Sequence, residues 1–343
     1  MGRGRAGDLI QIDLIQVMAF AGRLGQKEPF ATSLKEPPMA RFYPATLSFI
    51  FVLSLAFAAH ALEIKPVTKG VWALVGEKAQ RDKENLANNA TFGVLETGEG
   101  VVLIDPGGSW KGAAAIHAKI RELTDKPVKY VIDTGGQDHR WLGNGYWKAR
   151  GATVIAAAAA VADQKSRGSL QMTALGMFLG PELAGTDPVY ADVIFEDRHV
   201  LEVGGTRFEI VHPGPAHTPG DSFVWLPQKK TVFTGDIVYV ERLLGVLEFS
   251  SIAGWPKAFE AIAALKPDHL IPGHGGPATL ARAKAETYDY LMNLRSKMKA
   301  HIDAGGDIIG SVEVDQAAFS HLELFDGLAR RNAQTAFQQM EWE

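Results

Sequence analysis

The histidines and aspartates best placed to carry chemistry gather in four short segments, each beside an apolar, strand-like run. Thr134-Gly-Gly-Gln-Asp-His139 follows Val128–Asp133, and Gly214-Pro-Ala-His217-Thr-Pro-Gly-Asp221 follows the strand-like residues just before it. Asp236 closes Phe233-Thr-Gly-Asp236, and His274 stands in Pro272-Gly-His-Gly275. Sites in α/β folds are built on loops at the ends of rigid strands. Four such ends, all rich in metal-ligand or acid–base side chains, ask for a fold in which they converge.

The rest of the mature chain supplies that kind of scaffold. Val71–Val75 and residues 91–95 have the short apolar patterning of strands, and 100–105 is a continuous apolar run ending in Pro-Gly-Gly. Residues 111–124 carry Ala, Ile and Leu at helical spacing, and 152–156 is again strand-like. The Ala- and Gly-rich stretch 156–190 is expected to hold one helix and a loop over the site. Two strands are expected within 201–226, a third at 230–234, a helix at 255–265 and a strand at 268–272. Amphipathic patterns over 279–304 and 315–339 predict closing helices. Alternation of strands and helices without an internal repeat places the chain in the α/β class.

Composition removes several functions. With 35 basic and 39 acidic residues the formal charge is -4 and no long basic run exists, so the chain lacks the footprint of a nucleic-acid binder. There is no cysteine, which excludes a disulfide and a thiolate, and leaves His, Asp, Glu or Gln as ligands for any metal.

The N-terminal region reads as an export signal. From Met39, a basic Arg41 precedes an apolar run and then Ala59-His60-Ala61. This is the pattern of a signal peptide over 39–61, cleaved after Ala61. The apolar run is shorter than the roughly 20 residues a spanning helix needs, so no stable membrane anchor is expected after cleavage. Residues 1–38 are expected to be a non-native or extended segment, the alternative being a long basic region of the same signal. The mature protein, 62–343, is expected to be periplasmic or secreted.

A His before Thr-Pro-Gly, an Asp after Thr-Gly or a Gly-His-Gly taken alone is an ordinary turn or capping feature. Together and in this order, the last three segments closely resemble the metallo-β-lactamase superfamily, over roughly residues 64–300. The resemblance implies a four-layer αβ/βα sandwich and hydrolysis of esters, amides, thioesters or phosphoesters at one or two metal ions. Within that family the first segment carries His-x-His-x-Asp-His. Its first two histidines bind one metal with the His that corresponds to His217. Its Asp and last His bind the other with the equivalent of His274, and the equivalent of Asp236 bridges the two.

Here the first segment departs from that pattern, and two alignments stand. Without gaps, Thr134, Gly143 and Asn144 match the family's landmarks; Gly135 and Gln137 then replace the first two histidines, His139 the Asp, and Arg140 the last His. With a one-residue shift, Asp138 and His139 match the Asp-His pair. Both make His139 a ligand and remove the first site's first imidazole, since Gly135 has no side chain. Gln137 offers at most an amide oxygen, a poor substitute on zinc.

The resemblance therefore implies a metal set drawn from Asp138, His139, His217, Asp236 and His274, holding one zinc ion more readily than two. The function expected is an exported zinc hydrolase that uses metal-activated water on a small ester, lactam, lactone or thioester, β-lactamase-like or thioesterase-like. Asp236 would orient the nucleophile or accept its proton, and His217 would serve as a ligand or as the partner of the leaving group. Arg140, Arg242 and Gln137 are candidate substrate contacts, the arginines as forks for a carboxylate. Asp105 and Asp221 are expected to support the ligand loops. Two other readings stand beside it: a non-catalytic binding protein, and an iron-dependent oxidoreductase similar to persulfide dioxygenases, which need the histidine pair missing here.

Overall fold

Val101–Ile104 shows how the layers arise. Its four residues are all buried, with Val101 and Leu103 packing into one apolar cluster and Val102 and Ile104 into another. A strand covered on both faces must be apolar at every position, which is why this segment reads as VVLI without alternation. The computed structural model describes residues 62–343, and the signal-peptide reading and the segment before it lie outside these residues.

The first sheet follows chain order: β1 (Glu63–Thr68), β2 (Val71–Val75), β3 (Thr91–Glu96), β4 (Val101–Ile104), β5 (Val128–Asp133), β6 (Thr153–Ala157) and β7 (Val193–Phe195). It is antiparallel from β1 to β4 and parallel from β4 to β7. The second sheet comprises β8 (Arg198–Val203), β9 (Thr206–Val211), β10 (Phe223–Leu226), β11 (Thr231–Phe233) and β12 (His269–Ile271). There the only parallel pair is β11 with β12. The sheets face each other across a shared core in which Ile104, Ile132 and Ile155 meet Phe208, Val224, Phe233 and Ile271.

Helices cover the two outer faces. On the first sheet lie α1 (Trp110–Leu123) and the short α2 (Asn144–Lys148). The Ser109 side chain caps α1 by accepting the Gly112 N–H at 2.9 Å, and Ala113, Ile116 and Ile120 recur at helical spacing on its buried side. Burying one such isoleucine contributes about 1.5–3 kcal/mol. α3 (Ala158–Leu179) crosses from β6 toward β7. The second sheet is covered by α4 (Trp255–Ala264), by α5 (Leu280–Ala283) continuing through a π-turn at Lys284–Tyr288 into α6 (Asp289–Asp303), and by α8 (Phe325–Met340); α7 (Ile308–Ser311) lies between the last two. This is the expected αβ/βα sandwich.

Several elements differ from the pattern reading. Residues 201–226 touch three strands, not two, because β8 starts at Arg198 and turns directly into β9. The closing helix begins only at Phe325; before it, Leu324 takes a left-handed conformation (φ 65°) and Ala317–Phe319 forms a single 3-10 turn. Among the described residues no helix is long and apolar enough to cross a membrane.

Candidate metal centre

The four segments converge where the strands of the two sheets end. β5 runs out into Gly135-Gly136, and a single 3-10 turn at Asp138–Arg140 then swings His139 and Arg140 inward. From the second sheet, β11 delivers Asp236 on another 3-10 turn and its parallel partner β12 delivers His274. His139 Nε2 lies 3.2 Å from Asp236 Oδ2, and His274 Nε2 lies 3.1 Å from Asp236 Oδ1. One donor atom from each of His139, Asp236 and His274 fits within a span of 4.8 Å, and all three residues are buried. Among the described residues this is the group whose donors could share an ion.

A guanidinium stands behind Asp236. Arg140 is completely buried and donates from Nη2 to Asp236 Oδ1 (2.7 Å) and the Gly273 carbonyl (2.8 Å). Its Nη1 donates to Asp105 Oδ2 (2.7 Å) and the Thr91 carbonyl (3.1 Å). Gly273 makes the fit possible, since a Cβ there would lie 2.7 Å from Nη2 and 2.3 Å from the Gly235 carbonyl oxygen. Burial works against a charge on Asp236, but Arg140 and His139 outweigh it and hold the carboxyl well below the usual carboxylate range. Asp105 supports the loop as expected, accepting from both Thr134 N and Thr134 Oγ1 at 2.8 Å.

These contacts correct two expectations. Arg140 is not placed to hold a substrate, because its terminal nitrogens are engaged by carboxylates and carbonyls on every side. Asp138 stands outside the group of three donors: Arg81 grips it through Nε (2.6 Å to Oδ2) and Nη2 (2.7 Å to Oδ1). Asp138 Oδ1 also lies 3.0 Å from His139 Nδ1, so His139 has a carboxylate oxygen near each ring nitrogen.

His217 reaches the same space from the loop between β9 and β10 but lies outside that group. Its Nδ1 is 3.1 Å from the Gly245 carbonyl, which can only accept, so Nδ1 carries the proton and Nε2 keeps a lone pair. Burial lowers its pKa to about 4. Asp221 fixes the turn, accepting from Thr218 N at 2.7 Å and bonding the Thr218 hydroxyl, and burial pushes its carboxyl up to about 8.

Where the family's first imidazole would stand, this chain is solid. A Cβ on Gly135 would lie 2.6 Å from Asp221 Oδ1. α3 clamps the same loop: Gln164 Nε2 donates to the Gly135 carbonyl (3.1 Å), and Gln171 Nε2 (2.8 Å) and Arg167 Nη2 (3.3 Å) donate to the Gly136 carbonyl. Arg167 is itself paired with Asp163 and lies over Phe249, 3.7 Å from the ring centroid.

The other side is open. A cavity of about 130 Å³ is bounded by His139, His217 and His274 on its floor. Gln137 and Arg242 line it, as does Tyr239, whose ring stacks on His274 at 4.5 Å and 18°. Sequence patterning missed Arg81 and Asn89, which precede the first segment, and Leu328 and Arg331, which α8 contributes. No motif marks them; only the fold brings them here. Glu241, which precedes Arg242 in the chain, pairs with Lys78 and Arg282.

Comparison with known proteins agrees with this architecture. The linear primary-alkylsulfatase of Pseudomonas sp. (strain ATCC 19151) is 22% identical over 227 residues, covering 56% of this chain and 42% of the relative, so the chain spans less than half of that protein. Among solved structures, the stereoselective inverting sec-alkylsulfatase Pisa1 from Pseudomonas sp. superposes with a TM-score of 0.65 at 18% identity, over 81% of this chain and 50% of the other. The metallo-beta-lactamase FIM-1 from Pseudomonas aeruginosa, solved in a mono-zinc form, gives a TM-score of 0.54 at 22% identity, over 68% of this chain and 95% of the other. At these identities the likeness is one of fold. The sequence model of the metallo-beta-lactamase superfamily matches residues 87–274, a span that takes in all four segments and more than half the chain, and the protein belongs to that superfamily.

Proposed function

We propose that this protein is an exported zinc hydrolase acting on a small ester-like substrate at one metal ion. The observation that carries the reading is the convergence of His139, Asp236 and His274 on one floor of an open cavity. Two imidazoles and one carboxylate, with space on the fourth side, form a donor set suited to zinc. His139 Nε2 at 3.2 Å from Oδ2 and His274 Nε2 at 3.1 Å from Oδ1 bring both imidazoles against the one carboxylate, the residues that would hold the ion. Zinc held there would supply Lewis acidity and a deprotonated water at neutral pH.

The chain's own residues do the rest. Arg140 keeps Asp236 ionised and fixes Oδ1, while Oδ2 faces His139 Nε2 at 3.2 Å. His217 presents an unprotonated Nε2 to the cavity, and its lowered pKa keeps it from being a charged partner of the leaving group. Gln137 and Arg242 line the cavity from which the substrate approaches.

Metal analysis of the purified full chain tests this directly. About one zinc per chain is expected, lost in His139→Ala and in His274→Ala, with hydrolysis found in a screen of sulfate esters, lactones, lactams and thioesters. The alkylsulfatase relatives bring sulfate esters into that screen. Metal content unchanged in both variants would sink the site assignment. A second reading, a metal-free binding protein, draws on Arg81 and Arg140 already neutralising Asp138 and Asp236, and it predicts no stoichiometric metal at all.

A further inference from the structure

The cavity beside the metal centre holds polar groups that the protein leaves without partners. Arg242 is buried, and among the described residues no carboxylate lies within ion-pair distance of it. Its Nε has no hydrogen-bond partner; its side-chain polar contact is a long 3.5 Å approach of Nη1 to His274 Nδ1, and the guanidinium also lies 6.0 Å from the Tyr239 ring centroid. A buried guanidinium without a carboxylate partner is costly to keep; Arg81 and Arg140 nearby also leave Nε without a hydrogen-bond partner, but both are ion-paired with carboxylates. Two acceptors on the same walls are also unmet: Gln137 Oε1 and Asn89 Oδ1. Asn89 Nδ2 donates to the Ala79 carbonyl at 3.1 Å, which fixes the orientation of that amide and turns its oxygen to the acceptor role.

Size and lining narrow the ligand. The volume of about 130 Å³ is well below the roughly 300–1,000 Å³ of sites for drug-sized ligands, so a compact molecule or the compact end of a longer one fits. Apart from Leu247 and Leu328, the walls offer few aliphatic contacts.

We propose that this cavity recognises a compact oxyanion that carries a neighbouring hydrogen-bond donor: the anionic oxygens sit on the fork of Arg242, and the donor, a hydroxyl or an N–H, meets Gln137 Oε1 and Asn89 Oδ1. Arg331 at the entrance adds positive charge that draws the anion in. The proposal rests on the hydrolytic reading only in taking this ligand to be the substrate's polar end. The oxyanion is either a tetrahedral ester group, itself the reacting centre beside His274, or a carboxylate adjacent to it.

The test titrates the full chain as purified, its metal content recorded, with sulfate, acetate and glycolate at constant ionic strength. Binding is read by calorimetry and from the Nε–H resonance of Arg242. One saturable site per chain is expected, weakened roughly tenfold or more for every anion in Arg242→Gln and partly retained in Arg242→Lys. Sulfate binding tighter than either carboxylate identifies the ester head; the reverse order identifies a carboxylate. Glycolate is expected to bind several-fold tighter than acetate, a difference that Asn89→Leu removes while leaving acetate unchanged. Absence of saturable binding, or equal affinity in Arg242→Gln, overturns the proposal, and glycolate no tighter than acetate overturns its donor half. Should Arg242→Gln fail to fold, the wild-type Arg242 resonance decides alone. Anion binding through Arg242 in a chain that holds no metal sinks the hydrolytic reading and leaves this one; hydrolysis without anion binding does the opposite.

Discussion

The two sides of the site use the same kinds of residue to opposite ends. On the side of Gly135 and Gly136, the Asp163–Arg167 pair, Gln164 and Gln171 clamp the loop, a side chain at position 135 would strike Asp221, and Gln164 Oε1, though also without a partner, lines no part of the cavity. On the side of His139, Asp236 and His274, the donors face a cavity, and polar atoms of Arg242, Gln137 and Asn89 are left without partners. Buried polar groups are normally satisfied, and those left over in a folded protein call for an explanation such as a ligand. The closed side therefore acts as structure and the open side as a binding surface. The first segment lacks the family's first histidine at Gly135, and Asp221 packs into the space a side chain there would need.

That contrast can be broken at several points. The largest effect is expected from Arg140→Met, which leaves Asp105 and Asp236 buried without a cation; breaking such a pair costs about 3–5 kcal/mol, read as a lowered urea midpoint or as failure to fold. Next is the pH response of His217 in metal-free protein. Its folded pKa of about 4 lies below the unfolded value near 6.5, so the unfolded chain binds the extra proton between the two. Stability from this group is complete above about pH 6.5 and is lost as pH falls toward 4, on the order of 3 kcal/mol in all. The difference between wild type and His217→Asn in thermal unfolding across that window measures it.

Restoring the missing imidazole sharpens the comparison. Gly135→His is expected to destabilise by about 1–3 kcal/mol through the collision with Asp221, and to leave the metal content of the purified chain unchanged. A second metal ion in that variant would show that the closed side still behaves as a site. The smallest effect is expected from Arg167→Leu, about 1 kcal/mol from lost hydrogen bonds to Asp163 and the Gly136 carbonyl, with anion affinity in the cavity unaltered.

Much of the scaffold was legible because some strands are buried on both faces and so read as unbroken apolar runs, β4 and β10 above all. β1 and β7 carried no comparable signal: both are edge strands and only partly buried, β1 mixes polar and apolar residues, and β7 is only 3 residues long. The convergence of His139, Asp236 and His274 was legible from order and position at strand ends. What sequence could not resolve was how neighbouring charges are spent. Asp138 and Arg140 flank His139 in the chain, yet one turns to Arg81 and the other to Asp105 and Asp236. A one-residue choice of alignment cannot encode that; it depends on Arg81, 57 residues before Asp138, and on Gly273 leaving room 133 residues after Arg140.

Those long separations have a consequence for when the centre comes into being. A chain emerging from synthesis with its first sheet complete displays Asp105, Asp138, His139 and Arg140, but a single imidazole cannot chelate an ion. Asp236 and His274 arrive only with the second sheet, and Thr91 is tied to Gly275 across 184 residues when the halves dock. Arg331 completes the cavity wall later still. Contacts of this span form late in folding because loop closure must come first. The three donors His139, Asp236 and His274 are thus brought together only once both sheets are in place.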